Sequence, residues 1–334
     1  MAMTSAFAAG KVGVAMPTQS LQRWNQDGAN MKAQLEAAGY EVDLQYANND
    51  VAAQVSQIEN MLLGGAEVLV VASIDGGALD TVLAMAKDAG VPVIAYDRLL
   101  TGTANVDYYT TFDNYGVGVI QGQYIVEKFD LANTDKVYNI EFTAGSPDDN
   151  NAGLFFAGAF DTLKPYIDAG KLVCVSGQTE FEVVATPAWK SETAQARMDN
   201  ILTGFYADGT KLDICLCSND STALGVTNSL VNFGYTAEDI PVITGQDCDV
   251  NNVKNMIAGL QAMSVFKDTR TLAAQTVQMV TDILEGKTPE LNATYANGVI
   301  DVPSFNCTPV FADLANYEAL LLESGYYTAD QLAN

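Results

Sequence analysis

The sequence contains no histidine, and that absence removes more chemistry than any motif supplies. Ser-His-Asp and Cys-His catalysis, and every zinc site built on imidazole, need this residue. Basic residues are scarce, with 16 Lys and Arg against 41 Asp and Glu and a formal charge of −25. Nucleic-acid affinity comes largely from Lys and Arg on phosphates, so no nucleic-acid partner is expected; an acidic surface of this kind serves solubility. The five cysteines are Cys174, Cys215, Cys217, Cys248 and Cys307. Their spacing fits no metal motif, and an odd number argues against a complete disulfide framework. Cys215 and Cys217 fall on one face of an apolar run, where a free thiol behaves as a small hydrophobe. No apolar run approaches the ~18 residues that span a membrane. There is no Walker-type phosphate loop, and Gly116-Val117-Gly118 with Gly122 misses the dinucleotide spacing by one, within a helical stretch. Asp148 and Asp149 are adjacent at a helix start and do not face each other across a glycosidic bond. No metal, cofactor or catalytic residue is expected.

What is present is an α/β pattern. The length of 334 residues and a hydrophobic share of 49% allow two domains with sizeable cores. Strand signals at residues 11–16, 41–46, 68–72 and 91–96 alternate with helical spacing over 20–38, 51–63 and 77–89. Ser20 is placed to cap the first helix and Gly39 to stop it. Such alternation implies a parallel sheet covered by helices on both faces. Residues 108–112 read as a connector. The pattern then restarts, with helices over 116–131, 150–166, 191–205, 222–233 and 251–258 and strands at 137–142, 172–176, 212–217 and 242–244. Residues 261–266 resemble the earlier connector. The amphipathic helix over 269–284 completes the first wind, so the chain crosses between domains more than twice. A strand at 306–311 and a helical stretch at 314–322 end the pattern. Ala6-Phe7-Ala8 has the small-x-small form of an export cleavage site, so residues 1–10 are expected to be a trimmed, disordered leader remnant.

The strand ends carry the functional signal. In open α/β sheets, ligands bind outside the carboxyl ends of the strands. After the first strand come Arg23 and Trp24. Val91–Tyr96, a buried run, ends in the charged pair Asp97-Arg98. Gly145-Ser146-Pro147-Asp148-Asp149-Asn150-Asn151 follows the strand at 137–142. Trp189 precedes the helix at 191, Ser218-Asn219-Asp220 and Gly245-Gln246-Asp247 follow two further strands, and Lys267 ends the second connector. Taken singly, each has an ordinary role as cap, turn, ion pair or core aromatic. Taken together they form one chemistry. Charged groups and Asn make strong hydrogen bonds to hydroxyls, and Trp offers a flat apolar face to the C–H side of a pyranose. A phosphate would be repelled by the carboxylates.

Over these same residues the sequence resembles the periplasmic sugar-binding proteins of ABC transporters. The likeness is to the type I, ribose/xylose-binding class, including xylose-binding and ChvE-like multiple-monosaccharide receptors. The matching stretches are Gln22-Arg23-Trp24, Gln57-Ile58-Glu59-Asn60-Met61, Ala95-Tyr96-Asp97-Arg98, Phe112-Asp113-Asn114, Gly145–Ala152, Leu163-Lys164-Pro165-Tyr166, Ser218-Asn219-Asp220, Gly245-Gln246-Asp247 and Asp301-Val302-Pro303-Ser304. The resemblance implies two doubly wound parallel-sheet lobes joined by a three-crossover hinge, with the sugar clamped between them. One lobe would hold 11–112 and 268–300, the other 113–267 and 301–334. The ligand residues implied are Arg23, Trp24, Asp97, Arg98, Asp149, Asn151, Trp189, Asn219, Asp247 and Lys267.

The expected function is a non-catalytic, monomeric, exported periplasmic receptor. It would capture an aldopyranose such as xylose, glucose, galactose or arabinose by hinge closure and present it to an ABC permease. Trp24 and Trp189 would sandwich the ring while Asp97, Arg98, Asn219 and Asp247 bond its hydroxyls, with Arg98 orienting Asp97. The alternative is a sugar sensor for a chemoreceptor or sensor kinase. A transcription regulator of similar core is disfavoured by the acidic charge and the lack of a basic helix-turn-helix. An enzyme on a doubly wound fold would have to alter the sugar.

Overall fold

The computed structural model describes residues 10–333. The expected leader remnant lies outside the described residues, apart from Gly10. In chain order the elements begin β1 (Lys11–Met16), α1 (Gln22–Ala37), β2 (Glu41–Tyr46), α2 (Val51–Leu63), β3 (Val68–Val71), α3 (Asp80–Asp88), β4 (Val93–Tyr96) and β5 (Tyr108–Phe112). Next come α4 (Asn114–Lys128), β6 (Tyr138–Thr143), α5 (Asn150–Asp168), β7 (Leu172–Val173), the single turn α6 (Phe181–Val184) and α7 (Ser191–Ile201). The order continues with β8 (Ile214–Cys217), α8 (Asp220–Phe233), β9 (Val242–Ile243), α9 (Val250–Ile257) and β10 (Met263–Phe266). Last are α10 (Thr269–Leu284), β11 (Ala293–Ala296), β12 (Asp301–Cys307), β13 (Val310–Asp313) and α11 (Ala329–Leu332). The chain forms two compact units: one takes everything described up to Phe112 with Asp268–Cys307, the other Asp113–Lys267 with everything described from Thr308.

The first unit is a seven-stranded sheet in the order β11-β12-β5-β4-β3-β1-β2. All its pairings are parallel except β11 with β12. Successive side chains of a strand point to opposite faces, and the sequence uses both. Val12, Val14, Val68 and Val70 pack with Met31 and Leu35 of α1 and Leu272 and Met279 of α10. Ala15, Leu69 and Val71 pack with Ile58 and Met61 of α2 and Val82, Leu83 and Ala86 of α3.

The second unit has a parallel sheet in the order β7-β6-β8-β9 and a two-stranded antiparallel sheet of β10 and β13. Ile140, Phe142, Ile214 and Leu216 face α4 and α5. Cys215 and Cys217 face the opposite way, with Met198 of α7 and Val226 and Leu230 of α8. Gly118 and Gly122 of α4 are packing residues: a Cβ on Gly118 would fall 2.1 Å from the carbonyl oxygen of Phe155, so α4 and α5 touch backbone to backbone. All five cysteines are free thiols.

Several expectations are corrected here. Tyr108–Phe112 is not a connector but the strand β5, flanked by β4 and β12. Its polar residues are buried because they are paired: Thr110 Oγ1 lies 2.8 Å from Thr276 Oγ1, and Thr111 Oγ1 donates to the Asp97 carbonyl at 3.0 Å. The second connector contains the strand β10. The run 306–311 splits between β12 and β13, and because β12 pairs in parallel with β5, residues 301–307 belong to the first unit rather than the second. Ser20 does not cap α1; the N-cap position is Leu21, with no side-chain cap, and Ser20 lies instead 2.9 Å from the hydroxyl of Thr18. The strand expected over 172–176 is Leu172–Val173 only, and the expected helix at 314–322 is reduced to one wide turn, Glu318–Glu323.

Candidate functional site

In the first unit four of the expected ligand residues converge at the carboxyl ends of β1 and β4. Arg23 and Trp24 lie in the first turn of α1, and Asp97 and Arg98 directly follow β4. Asp97 has φ 59, and the Arg98 amide donates to the Tyr96 carbonyl at 2.6 Å, closing a three-residue turn. A left-handed γ-turn at a non-glycine residue is strained. It is held by neighbours: the Asp97 amide donates to the Thr110 carbonyl at 2.7 Å, and the Asp97 carbonyl accepts from the Tyr109 hydroxyl at 2.7 Å. That strain turns the Asp97 carboxylate to meet Arg23 Nη2.

Arg23 is gripped a second time, through Nε, by Asp27 Oδ2 at 3.0 Å. Asp27 Oδ1 in turn accepts from the Tyr96 hydroxyl at 2.5 Å. Burial raises the Asp27 carboxyl to about 6, against the pull of Arg23. Burial, with Asp27 beside it, pushes the Tyr96 phenol well up.

Arg23, on another element, is thus a charged partner of Asp97. Arg98 donates through Nη1 to the carbonyls of Ser73 and Ile74 at 3.0 and 3.3 Å. That loop is itself fixed by Gln54, which donates to the Ala72 carbonyl at 2.9 Å and accepts from the Ile74 amide at 2.9 Å. The guanidinium groups of Arg23 and Arg98 lie 5.2 and 5.0 Å from the Trp24 ring centre, both within cation–π range.

In the second unit the remaining six expected residues lie near the carboxyl ends of the strands. Asp149 is the N-cap of α5, accepting from the Asn151 amide at 3.0 Å. Asn219 caps α8 in a reciprocal capping box with Thr222. Cap and candidate ligand are thus the same residues, since a cap engages only part of an Asp or Asn side chain. Asp247, at φ 96, forms a buried ion pair with Lys267 at 3.1 Å. Lys267 Nζ lies 5.3 Å from the centre of the Phe155 ring, and Phe155 meets Trp189 edge-on at 6.2 Å.

Trp189 is left-handed at φ 57. Its amide donates to the Thr186 carbonyl at 3.0 Å, and its carbonyl accepts from the Ser221 hydroxyl at 2.6 Å. Gly145 lies flat against the indole: a Cβ there would fall 1.9 Å from Cη2. The loops carrying Asn219 and Asp247 are tied together from α4, whose Gln121 Nε2 donates to the carbonyls of Ser218 and Gly245 at 3.2 and 2.9 Å. Beneath them Asp220 is fully buried, accepting from Gln261, Ser264 and the Asp249 amide at 3.0, 2.9 and 2.8 Å. Burial first, then Asp249 and Asp247, pushes its carboxyl well above the usual range.

Five residues in these clusters escaped the sequence reading. Asp27 stands four residues after Arg23 and Phe155 four after Asn151, the spacing of one helix face. Tyr96, Gly145 and Asp220 lie inside stretches already singled out, where only neighbouring residues were expected to be ligands. In chemical terms each unit presents carboxylates, a cation and an indole, a set suited to a neutral ring with hydroxyls on its edge and C–H groups on its face.

Comparison with known proteins agrees with this chemistry. The family model described as "Periplasmic binding protein domain" matches residues 12–288. The chain is 51% identical to the multiple sugar-binding periplasmic receptor ChvE of Rhizobium radiobacter, over 99% of this chain and 95% of that protein. It is 35% identical to the D-xylose-binding periplasmic protein of Escherichia coli, over 96% and 92% of the two chains. The crystal structure of an ABC transporter solute-binding protein from Clostridium phytofermentans with bound β-D-glucose superposes with a TM-score of 0.94 at 59% identity, covering 97% of this chain and 100% of that one.

Proposed function

This chain belongs to the family of periplasmic binding proteins, and on that footing we propose that it captures a monosaccharide in the periplasm and delivers it to an ABC importer. The observation that carries the reading is that each unit sets a carboxylate–cation contact and an indole in one cluster: Arg23–Asp97 with Trp24 directly, and Lys267–Asp247 with Trp189 through the Phe155 ring. The relatives support it, one being named for multiple sugars, one for D-xylose, and one solved with glucose. In this reading each unit contributes sugar contacts. Arg23, Trp24, Asp97 and Arg98 come from the first, and Asp149, Asn151, Trp189, Asn219, Asp247 and Lys267 from the second. Six of these are charged partners for hydroxyls, and Asn151 and Asn219 combine donor and acceptor; the indoles take the ring faces. The protein works as a monomer, exported with its leader removed, and performs no chemistry on the sugar.

Calorimetric titration with xylose, glucose, galactose and arabinose is the test, with the sugar recovered afterwards and checked by NMR. Saturable binding of at least one, recovered unchanged, is expected. A folded protein that gives no heat with any monosaccharide would overturn the reading, and a chemically altered sugar would overturn its non-catalytic part. A second role is favoured by the relative named as a receptor: the sugar-bound protein also signals to a chemoreceptor or sensor kinase. Deletion of the gene should then abolish chemotaxis to the sugar as well as its uptake.

A further inference from the structure

We propose that Asp27 and Tyr96 are positioning residues for sugar binding, which hold the Arg23 guanidinium in the plane where it meets Asp97 and the ligand. The inference rests on the reading of Arg23 as a sugar contact. Arg23, Asp27, Tyr96 and Asp97 form a closed ring. Arg23 Nε donates to Asp27 Oδ2 at 3.0 Å, the Tyr96 hydroxyl donates to Asp27 Oδ1 at 2.5 Å, Tyr96 is bonded covalently to Asp97, and Asp97 Oδ1 accepts from Arg23 Nη2. A guanidinium held at Nε and Nη2 by two carboxylates cannot rotate about its last side-chain bonds without losing one of them. The ring also ties helix α1 to the end of β4, the two places from which the first unit presents its candidate ligands.

Packing alone does not require this arrangement. Asp27 is 0% exposed, on a helix face that otherwise buries Met31 and Leu35. An apolar residue there would leave Arg23 Nε and the Tyr96 hydroxyl to find other partners, and a carboxylate is burdened by desolvation. The groups that face Asp27 are Arg23 from its own helix, Tyr96 from β4 and Asp97 directly after it, and Tyr46 from β2. Of these, Arg23 alone is cationic, so the Asp27 charge is directed at Arg23. A residue placed for stability has no reason to act through the ligand-facing cation; one placed for orientation does.

The experiment is a double-mutant cycle on the full chain, read by calorimetric affinity for glucose and xylose, with the thermal midpoint recorded for every variant. Asp27→Asn and, as a smaller change that keeps the aromatic side chain but removes its hydroxyl, Tyr96→Phe should each weaken binding about tenfold. In an Arg23→Ala background, neither should weaken it further. The parent should also lose affinity as the pH falls through about 6, where Asp27 takes up a proton and loosens its hold on Arg23; Asp27→Asn should remove that step. If both variants bind like the parent while Arg23→Ala is weak, the positioning role is wrong and the sugar site stands. Equal weakening with and without Arg23 would show a purely structural role and also overturn it. If Arg23→Ala binds like the parent, or the parent binds no monosaccharide, the reading beneath the inference fails and takes the inference with it.

Discussion

Substituting Gly145 by alanine tests how the second unit holds its indole. A Cβ on Gly145 falls 1.9, 2.2 and 2.3 Å from Cη2, Cζ3 and Cζ2 of Trp189. Carbon atoms pack at about 3.5–4.0 Å, so the ring must retreat by roughly 1.5 Å. It has little freedom to do so. Its backbone is left-handed, its amide and carbonyl are bonded to Thr186 and Ser221, and Phe155 meets it edge-on. Gly145 is not itself in the left-handed region, so the conflict is steric and not conformational. Overpacking of this kind costs about 1–3 kcal/mol, and at this domain size each kcal/mol lowers the melting temperature by about 2–4 °C. Moving an aromatic platform off its partner forfeits about 0.5–1.5 kcal/mol, a loss in affinity of about two- to tenfold. Differential scanning fluorimetry and calorimetric titration with glucose read the two effects. Gly153→Ala is the control, because a Cβ there meets nothing within 4 Å, and alanine within α5 should stabilise by about 0.5–1 kcal/mol. If Gly145→Ala melts and binds like the parent, the account of how Trp189 is positioned is wrong.

Further outcomes follow from the other contacts. Arg98→Lys keeps the charge but loses the planar fork that reaches the Ser73 and Ile74 carbonyls. Sugar affinity should fall about tenfold or more, and binding equal to the parent would make Arg98 a structural residue only. Lys267→Met leaves the Asp247 carboxylate buried without its cation, which should cost about 3–5 kcal/mol in urea unfolding; an unchanged midpoint would mean that the pair carries no such burden. Burial raises Asp27 from 3.8 to about 6, so the folded chain binds that proton more tightly than the unfolded one. Its contribution to stability is fully present below pH about 4 and is lost as the pH rises through about 6, at up to about 1.4 kcal/mol per pH unit. Asp27→Asn should therefore flatten the urea-midpoint profile between those limits, and an identical profile would contradict the assignment.

The α/β alternation was legible because the buried strands read as continuous apolar runs and the helices carry one apolar stripe. What hid β5 was its pair of threonines. Thr110 and Thr111 look like solvent-facing residues until Thr276 and the Asp97 carbonyl are in place to satisfy them, and both partners are remote or strained. The boundary after Cys307 was hidden for a similar reason, since the pairing of β12 with β5 joins residues almost two hundred positions apart. The candidate ligands stood out as charges and indoles at the ends of apolar runs. Their supports did not: Asp27 and Asp220 are charges inside helices, where sequence alone suggests a solvated face, and Gly145 matters only once Trp189 lies on it. The contact between Asp97 and Arg23 was not legible, because the left-handed turn at Asp97 brings its carboxylate to a residue on another element.

The sequence contains two tryptophans, Trp24 and Trp189, and one lies in each candidate cluster. Intrinsic tryptophan fluorescence therefore reports on these clusters and on nothing else in the chain. Titration with xylose, glucose, galactose and arabinose should give a saturable change for at least one sugar, and the single variants Trp24→Phe and Trp189→Phe should each retain part of it. A folded protein whose tryptophan emission responds to none of the monosaccharides, with no heat of binding in parallel, would contradict the central claim.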